Sequence, residues 1–219
     1  MIFHDRREAG RILAQALRSA PLGHDAIVLG LPRGGVPVAY EVARELHLPL
    51  DVFVVRKLGV PSQEELAMGA IASGGLVVLN EPVIRAYGIQ PQTIEAVAAQ
   101  ERAEIERREA LWREGRGPLA LAGRTAILVD DGLATGSTMK AAARALRPLA
   151  GRVVAAVPVA AAGGWDEMSR EVDWLVCVER PQRFGAVGEY YREFDPTPDE
   201  EVRTLLALAR QDGGAPRAA

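Results

Sequence analysis

The chain has 219 residues, of which 48% are hydrophobic, 25% charged and 5% aromatic, and its formal net charge at pH 7 is −3. This balance is typical of a globular protein, and the length predicts one large α/β domain rather than two small ones. The net charge does not favour an extended basic surface for nucleic acid, although a local basic patch stays possible. A single cysteine, Cys177, excludes an internal disulfide and a zinc site built from several cysteines.

Two features of the sequence bear on its location in the cell. The two longest uncharged stretches, residues 66–80 and 153–165, have 15 and 13 residues, whereas a membrane span needs about 20 apolar residues. The first residues, MIFHDRREAG, are charged where a secretion signal needs an apolar run. The sequence therefore predicts a cytoplasmic protein that makes no contact with a membrane.

The first part of the chain alternates between helical and strand patterns. Apolar residues follow helical spacing over residues 5–19 and 36–46, and short β-branched runs occupy residues 26–30 and 50–55. A strand, a loop, a helix and a second strand in this order predict a parallel pair joined by a right-handed crossover.

The pattern changes after this second strand. Residues 58–65 are polar and rich in turn formers, which predicts a loop, and two apolar runs around a Ser-Gly-Gly sequence predict a hairpin over residues 67–80. Residues 92–114 predict a long, charged helix with a thin apolar stripe, inside a helical insertion at about 82–115. Two interpretations of this helix are open: a solvated arm lying on the domain, and a dimer contact.

In the second half of the chain, strand and helix patterns alternate again. It predicts strands at residues 124–129, 152–160 and 173–179, and helices at residues 139–149, 167–171 and 198–210. No linker between domains is apparent, so residues 1–219 are predicted to form one domain. Its expected architecture is a central, mainly parallel sheet of about five strands flanked by helices, with a small hood at about 181–195. Ligands of such sheets bind beyond the carboxyl ends of the strands.

The most informative segment is AILVDDGLATGST, residues 126–138. An apolar strand ends at two adjacent carboxylates, Asp130 and Asp131, which alone would be as consistent with a helix cap. The small and hydroxyl-bearing residues that follow begin a helix; they are Ala134, Thr135, Gly136, Ser137 and Thr138. Backbone N–H groups and hydroxyls at a helix start favour a phosphate. Acids and a phosphate loop side by side suit a ligand with a phosphate at one end and hydroxyls or a metal at the other, as in a sugar phosphate.

This segment resembles the 5-phosphoribosyl-1-pyrophosphate (PRPP) binding motif of the type I phosphoribosyltransferases. No GxxxxGK[ST] occurs, and GLPRGG lacks the GxGxxG spacing of a dinucleotide fold. The resemblance covers residues 22–179, and the whole chain, with its FHDR start and RFGAVGEYY segment, is similar to a bacterial group of phosphoribosyltransferases of unsettled substrate. It implies that residues 134–138 hold the 5-phosphate and that Asp130 and Asp131 lie near the ribose hydroxyls.

The resemblance also implies where pyrophosphate and metal bind. LPRGG would contact pyrophosphate through Arg33, Gly34 and Gly35, and the basic pair Arg56 and Lys57, at the end of the second strand, would do the same. Mg²⁺ would be bound to PRPP and touch Asp130 and Asp131 directly or through water. Without the resemblance, RGG reads as a strand-to-helix turn and Arg-Lys as a solvated charge pair. Lys57 is one of only two lysines among 26 basic residues, the other being Lys140.

The implied activity is that of a glycosyltransferase of nucleotide metabolism. A nitrogen nucleophile, usually of a nucleobase, displaces pyrophosphate from C1 of PRPP. The ribose becomes cation-like, so the carboxylates stabilise it, while Mg²⁺ and the basic residues offset the charge of the leaving pyrophosphate. The predicted loop at residues 58–65 is expected to close over the site and exclude water.

The acceptor is not identified by the sequence. Ala134 stands where 6-oxopurine members of the family have an aspartate, which disfavours hypoxanthine and guanine. Phe184, Tyr190 and Tyr191 of the hood are candidate stacking residues for the acceptor, and equally candidates for packing the domain edge. One other function stays open, a PRPP- or nucleotide-binding regulator without turnover. A sugar-phosphate phosphohydrolase would need an aspartyl nucleophile motif such as DxD, which VDDG does not provide. Dimers are common in the family, which makes a homodimer possible.

Overall fold

The computed structural model describes residues 1–61, 63–114, 117 and 119–212, and for residues 64 and 65 the backbone alone. The elements in chain order are α1 (Arg6–Leu17), β1 (Ile27–Gly30), α2 (Gly35–Leu46), β2 (Leu50–Val52), β3 (Val55–Val60), β4 (Gln63–Ala72), β5 (Leu76–Leu79), α3 (Glu81–Tyr87), α4 (Pro91–Arg113), β6 (Thr125–Val129), α5 (Ser137–Leu146), β7 (Arg152–Val159), α6 (Ala162–Met168), β8 (Trp174–Glu179) and α7 (Asp199–Asp212). Short 3₁₀ turns lie at Ser73–Gly75 and Val187–Tyr190.

Five strands form a parallel sheet in the order β2-β1-β6-β7-β8, which confirms the predicted fold class. β1 and β6 are neighbours at the centre, and their last residues, Gly30 and Val129, pair with each other. The loops that leave these two strands therefore start side by side at one edge of the sheet.

Alternating residues of the sheet face two separate apolar clusters. Val28 of β1 and Ile127 of β6 belong to the cluster that includes α1, α2 and α7, whereas Leu29 and Leu128 belong to the cluster that includes α5. This is the period of two expected of strands buried on both faces. Helices therefore cover both sides of the sheet.

The segment after β2 forms a second sheet, in the order β3-β4-β5, with antiparallel pairing. The predicted hairpin is confirmed, but the predicted loop at residues 58–65 is wrong over residues 58–60, which lie in β3, and over residues 63–65, which lie in β4. Leu58 and Val60 are buried apolar residues of β3, and their strand pairs with β4. Polar and turn-forming neighbours concealed this short alternation in the sequence. Ser62 lies outside the described residues.

The predicted long helix is confirmed as α4, and it is fixed to the domain near its end. Arg113 donates two hydrogen bonds of 3.1 Å to the carboxylate of Asp51, and both residues are buried. Trp112 donates from Nε1 to Asp199 Oδ1 at 3.1 Å, and Ile105 is buried against the core. These contacts support the interpretation of α4 as an arm lying on the domain.

The helix predicted at residues 167–171 begins earlier, at Ala162, and ends at Met168. Its first turn contains Gly163 and Gly164, which have low helix propensity and hid its start. The hood contains only a 3₁₀ turn and one isolated bridge, Phe3 to Tyr191. In the described part of the chain, no helix is long and apolar enough to cross a membrane.

Candidate active site

The RGG loop and the acid pair form one site where β1 and β6 end. A Cβ on Gly34 would lie 2.2 Å from Asp131 Oδ2, and a Cβ on Gly35 would lie 2.6 Å from the carbonyl oxygen of Val129 and 2.9 Å from Asp130 Cα. A side chain at position 34 would collide with the Asp131 side chain, and one at position 35 would collide with the backbone after β6. Glycine at both positions lets the RGG loop lie directly against the acid-bearing loop. The structure brings together two segments that are about 95 residues apart in the sequence.

Arg33, from the same loop, takes another direction. The peptide bond before it, Pro32–Arg33, is cis. Its side chain is about half exposed, and Nη1 lies 3.8 Å from Asp199 Oδ1 at the start of α7. Because this ion pair is long and exposed, Arg33 can extend toward a ligand from the edge of the site.

Both carboxyl groups of the acid pair are perturbed by their surroundings. Burial raises the pKa of Asp130 well above its usual value, and the neighbouring charge of Asp131 raises it further. Burial also raises the pKa of Asp131, while the hydrogen bond from Arg6 opposes that shift. The Asp131 N–H donates to Asp130 Oδ1 at 2.9 Å, which holds the Asp130 carboxyl group against the main chain of Asp131. Two adjacent desolvated acids of this kind are typical of functional sites.

Arg6, in the first turn of α1, is a site residue that the sequence did not reveal. Its Nε donates to Asp131 Oδ2 at 2.9 Å, and its side chain is only 12% exposed. The only signal for it was its place in the FHDR start, and the partner lies 125 residues further along the chain.

The predicted phosphate loop, residues 134–138, leads into the first turn of α5. Gly136 has φ of 71°, a left-handed conformation that favours glycine, and α5 begins at the next residue. The side chains of Thr135, Ser137 and Thr138 are exposed, and the hydroxyls of the first two lie 3.0 Å apart. Hydroxyls and helical N–H groups are thus presented together at the surface.

The base of this loop is anchored to β7 and α6. The Leu133 N–H donates to the Val159 carbonyl at 2.8 Å, and the Leu133 carbonyl accepts from the Ala161 N–H at 2.8 Å. A Cβ on Gly164 would lie 2.3 Å from the Ala134 carbonyl oxygen, so only glycine permits this approach of α6. The predicted phosphate loop is therefore held between β7 and α6.

The structure separates Arg56 from Lys57. Both lie in β3, so their side chains point to opposite faces of the strand. Arg56 Nε donates to Glu101 Oε2 of α4 at 2.6 Å. Lys57 lines a cavity of about 260 Å³ together with Ser137 and Thr138 of α5. Lys57 therefore lies beside the start of α5, whereas Arg56 is directed to α4.

The three aromatic residues of the hood lie in different environments. Tyr191 is buried, packs against Phe3 and Phe194 at ring-centroid distances of 5.5 and 5.0 Å, and donates its hydroxyl to the Asp131 carbonyl at 2.6 Å. Burial raises the pKa of its hydroxyl strongly. Tyr191 therefore supports the acid-bearing loop, so the prediction that it stacks on an acceptor is wrong.

Phe184 and Tyr190 remain near the surface of the hood. Their rings stack at a centroid distance of 5.5 Å, and the Tyr190 hydroxyl donates to the Arg183 carbonyl at 2.9 Å. Both are partly exposed. They stay candidates for stacking on an acceptor.

A divalent cation at the acid pair would need ligands from elsewhere. Within the described ranges, no group of three or more His, Cys, Asp or Glu side chains is arranged to hold a metal ion. Asp130 and Asp131 offer carboxylate oxygens, which suit Mg²⁺, and the positive charge of a cation would oppose the burial that raises both pKa values. The donor set fits an ion that a bound phosphate ligand and water also coordinate.

Comparison with known proteins places the chain in a family. Residues 3–193 match the family model described as "Phosphoribosyl transferase domain". The chain belongs to this family. Two Mycobacterium tuberculosis proteins, "Putative phosphoribosyl transferase MT0597" of strain CDC 1551 / Oshkosh and "Putative phosphoribosyl transferase Rv0571c" of strain H37Rv, are each 47% identical to it over 212 residues. The match covers 96% of this chain and 48% of theirs, so the chain spans about half the length of these relatives.

A solved structure resembles this phosphoribosyl transferase domain along nearly its whole length. The crystal structure of TT1426 from Thermus thermophilus is 42% identical, with a TM-score of 0.85, and the match covers 95% of this chain and 99% of that one. The family resemblance predicted from VDDGLATGST is therefore confirmed. Phosphoribosyltransferases are enzymes of the glycosyltransferase type. The roles of individual site residues in this chain stay predictions.

Proposed function

We propose that this domain transfers the 5-phosphoribosyl group of PRPP, bound with Mg²⁺, to a nitrogen nucleophile of a nucleobase or related compound and releases pyrophosphate. The observation that carries the proposal is the contact between Gly34 and Asp131 beside a phosphate loop. An anion-accepting backbone, a pair of acids and a hydroxyl-bearing helix start meet at one sheet edge. Their order along that edge matches the order of groups in PRPP.

Each end of the ligand has a chemically suited partner. Residues 134–138 would hold the 5-phosphate through exposed hydroxyls and N–H groups at the start of α5. The acid pair would face the ribose hydroxyls, which are donors for carboxylate oxygens. The side-chain-free backbone at Gly34 and Gly35 would lie near pyrophosphate, with Arg33 able to reach it from the edge of the site.

Residues of the chain would stabilise the charges that develop on the ribose and the pyrophosphate during the reaction. Carboxylates fixed beside the ribose stabilise the positive charge that develops as the bond to pyrophosphate breaks. When bound, Mg²⁺ supplies positive charge at the pyrophosphate oxygens. Lys57, which shares a cavity with Ser137 and Thr138, adds a compact positive charge on the phosphate-loop side. Phe184 and Tyr190 offer an aromatic surface for the acceptor.

Pyrophosphate release is the test of this function. The protein is incubated with PRPP, Mg²⁺ and, one at a time, purines, pyrimidines and small amines, and pyrophosphate is measured against the blank for PRPP hydrolysis. At least one acceptor is expected to exceed the blank, and chelation of Mg²⁺ should remove the excess. If PRPP binds and no acceptor exceeds the blank, the domain is a PRPP-binding regulator, and the proposed transfer is wrong.

A further inference from the structure

Arg6 joins three parts of the molecule through one guanidinium group. Besides the hydrogen bond to Asp131, Nη1 donates to the carbonyl of Asp195 at 2.8 Å, and Cζ lies 3.9 Å from the ring centroid of Phe194. The first helix, the acid-bearing loop and the end of the hood thus meet at this side chain. A planar cation with several donors can make all these contacts at once, whereas the ammonium of lysine cannot.

The RGG loop lies against the same ion pair. The position of a Cβ on Gly34 would be 2.2 Å from Asp131 Oδ2 and 3.4 Å from Arg6 Nε. The carboxylate oxygen that accepts from Arg6 is therefore the oxygen that the RGG loop touches. Any rotation of the Asp131 side chain toward Gly34 is blocked by that loop, and rotation away from it breaks the bond to Arg6.

Tyr191 restrains the backbone of the same residue. Its hydroxyl donates to the Asp131 carbonyl at 2.6 Å, and its ring packs on Phe194, the same ring over which Arg6 lies. Arg6 thus fixes the carboxylate of Asp131, while its aromatic neighbours fix the main chain. Asp130 receives no such bond from Arg6, which acts on it only through the longer-range charge.

We infer that Arg6 is a positioning residue of the active site, which holds the Asp131 carboxylate in the orientation that binds the ribose of PRPP. The inference rests on the proposed function, because PRPP is its ligand. Arg6 acts through Asp131 and needs no contact with the ligand. Its removal should therefore matter only when Asp131 is present.

A double-mutant cycle on PRPP binding tests this dependence. The Kd for PRPP with Mg²⁺ is measured by calorimetry for the wild type, Arg6→Gln, Asp131→Asn and the combined variant. Arg6→Gln is expected to weaken binding about tenfold in the wild-type background and by less than about twofold in the Asp131→Asn background, a coupling within the range seen for contacting side chains. Arg6→Lys should recover part of the loss because it keeps the charge.

The controls separate positioning from general stability. Arg147→Gln removes a guanidinium that binds Asp173 at 2.8 Å near the end of α5, and it should leave the PRPP affinity unchanged. If Arg6→Gln does not fold, the same cycle is run with Arg6→Lys. Equal losses in both backgrounds, or no loss in either, would overturn the role of Arg6 while the proposed function stands. A wild-type protein that does not bind PRPP would overturn both.

Discussion

Two pairs of adjacent charged residues illustrate how position in a strand decides what a pair can do. Asp130 and Asp131, the strand-end pair, come directly after β6, and their carboxyl groups share one environment. Arg56 and Lys57, the strand-interior pair, lie within β3 and point to α4 and to α5 respectively. Adjacency beyond the end of a strand brings side chains to one sheet edge, whereas adjacency inside a strand sends them to opposite faces. Only the first pair can act on a single chemical group.

The largest effect is expected where the RGG loop meets the strand-end pair. Gly34→Ala introduces a Cβ into the position 2.2 Å from Asp131 Oδ2, so that either the loop or the carboxylate must move. A displacement of about 1 Å in such a site costs about a hundredfold in rate. We expect kcat/KM for PRPP to fall by about that factor, measured by pyrophosphate release.

Gly163→Ala is the matched control for this substitution. Nothing lies within 4 Å of a Cβ at that position, and alanine favours the helix α6 in which it lies. It should keep kcat/KM and raise the Tm slightly. Equal activity in the two variants would show that the close contact at Gly34 has no part in the reaction.

The strand-interior pair should show unequal effects on kcat/KM for PRPP. Lys57→Ala is expected to lower kcat/KM about tenfold, chiefly by raising KM, because a positive charge beside the start of α5 is lost. Arg56→Ala breaks the bond to Glu101 and should cost about 0.5 to 1 kcal/mol of unfolding free energy with a loss of kcat/KM below about threefold. Steady-state kinetics and thermal unfolding of the two variants measure both quantities. Similar losses of kcat/KM would support the idea that the pair acts together.

The binding of smaller ligands tests whether Lys57 interacts with the 5-phosphate end or with the pyrophosphate end of PRPP. The sequence implied pyrophosphate, whereas the cavity shared with Ser137 and Thr138 favours the 5-phosphate end. We expect Lys57→Ala to weaken ribose 5-phosphate more than pyrophosphate in a competition assay. The opposite order would support a role of Lys57 in binding the pyrophosphate leaving group.

The smallest effect concerns the stability of the strand-end pair without ligand. A carboxyl whose pKa is raised by folding stabilises the folded state below its unfolded pKa, and this contribution is lost as the pH rises through the folded pKa. The pKa of Asp130 is raised in this way by burial and by Asp131. In EDTA, Asp130→Asn should therefore raise the Tm by about 2 to 4 °C at pH 8, which corresponds to about 1 kcal/mol. The gain should shrink toward pH 4, and a lower Tm at pH 8 would contradict the direction of the shift.

Features encoded over short stretches of sequence were predictable. The motif at residues 126–138 carries its own strand, acids and helix start, so both the fold class and the acid pair followed from local pattern. The antiparallel strand β3 was less accessible, because only Leu58 and Val60 carry its apolar alternation. The start of α6 was concealed by two glycines, of which Gly164 is required by its close approach to the phosphate loop.

Contacts between distant residues were not predictable from one sequence. Arg6 and Tyr191 reach Asp131 across 125 and 60 residues of chain. Neither spacing carries a local pattern, and an arginine in the first turn of a helix or a tyrosine in an irregular segment has many possible partners. The aromatic character of Tyr191 suggested a ligand surface, whereas burial gives it a supporting position.

The most direct test of the account is the effect of PRPP with Mg²⁺ on the Tm, compared between the wild type and the Asp130→Asn, Asp131→Asn double variant. Asp173→Asn, at the opposite end of the parallel strands, serves as the control. We expect PRPP with Mg²⁺ to raise the Tm of the wild type and of the control, and to leave that of the double variant unchanged. An undiminished shift in the double variant would contradict the assignment of the PRPP site to the ends of β1 and β6.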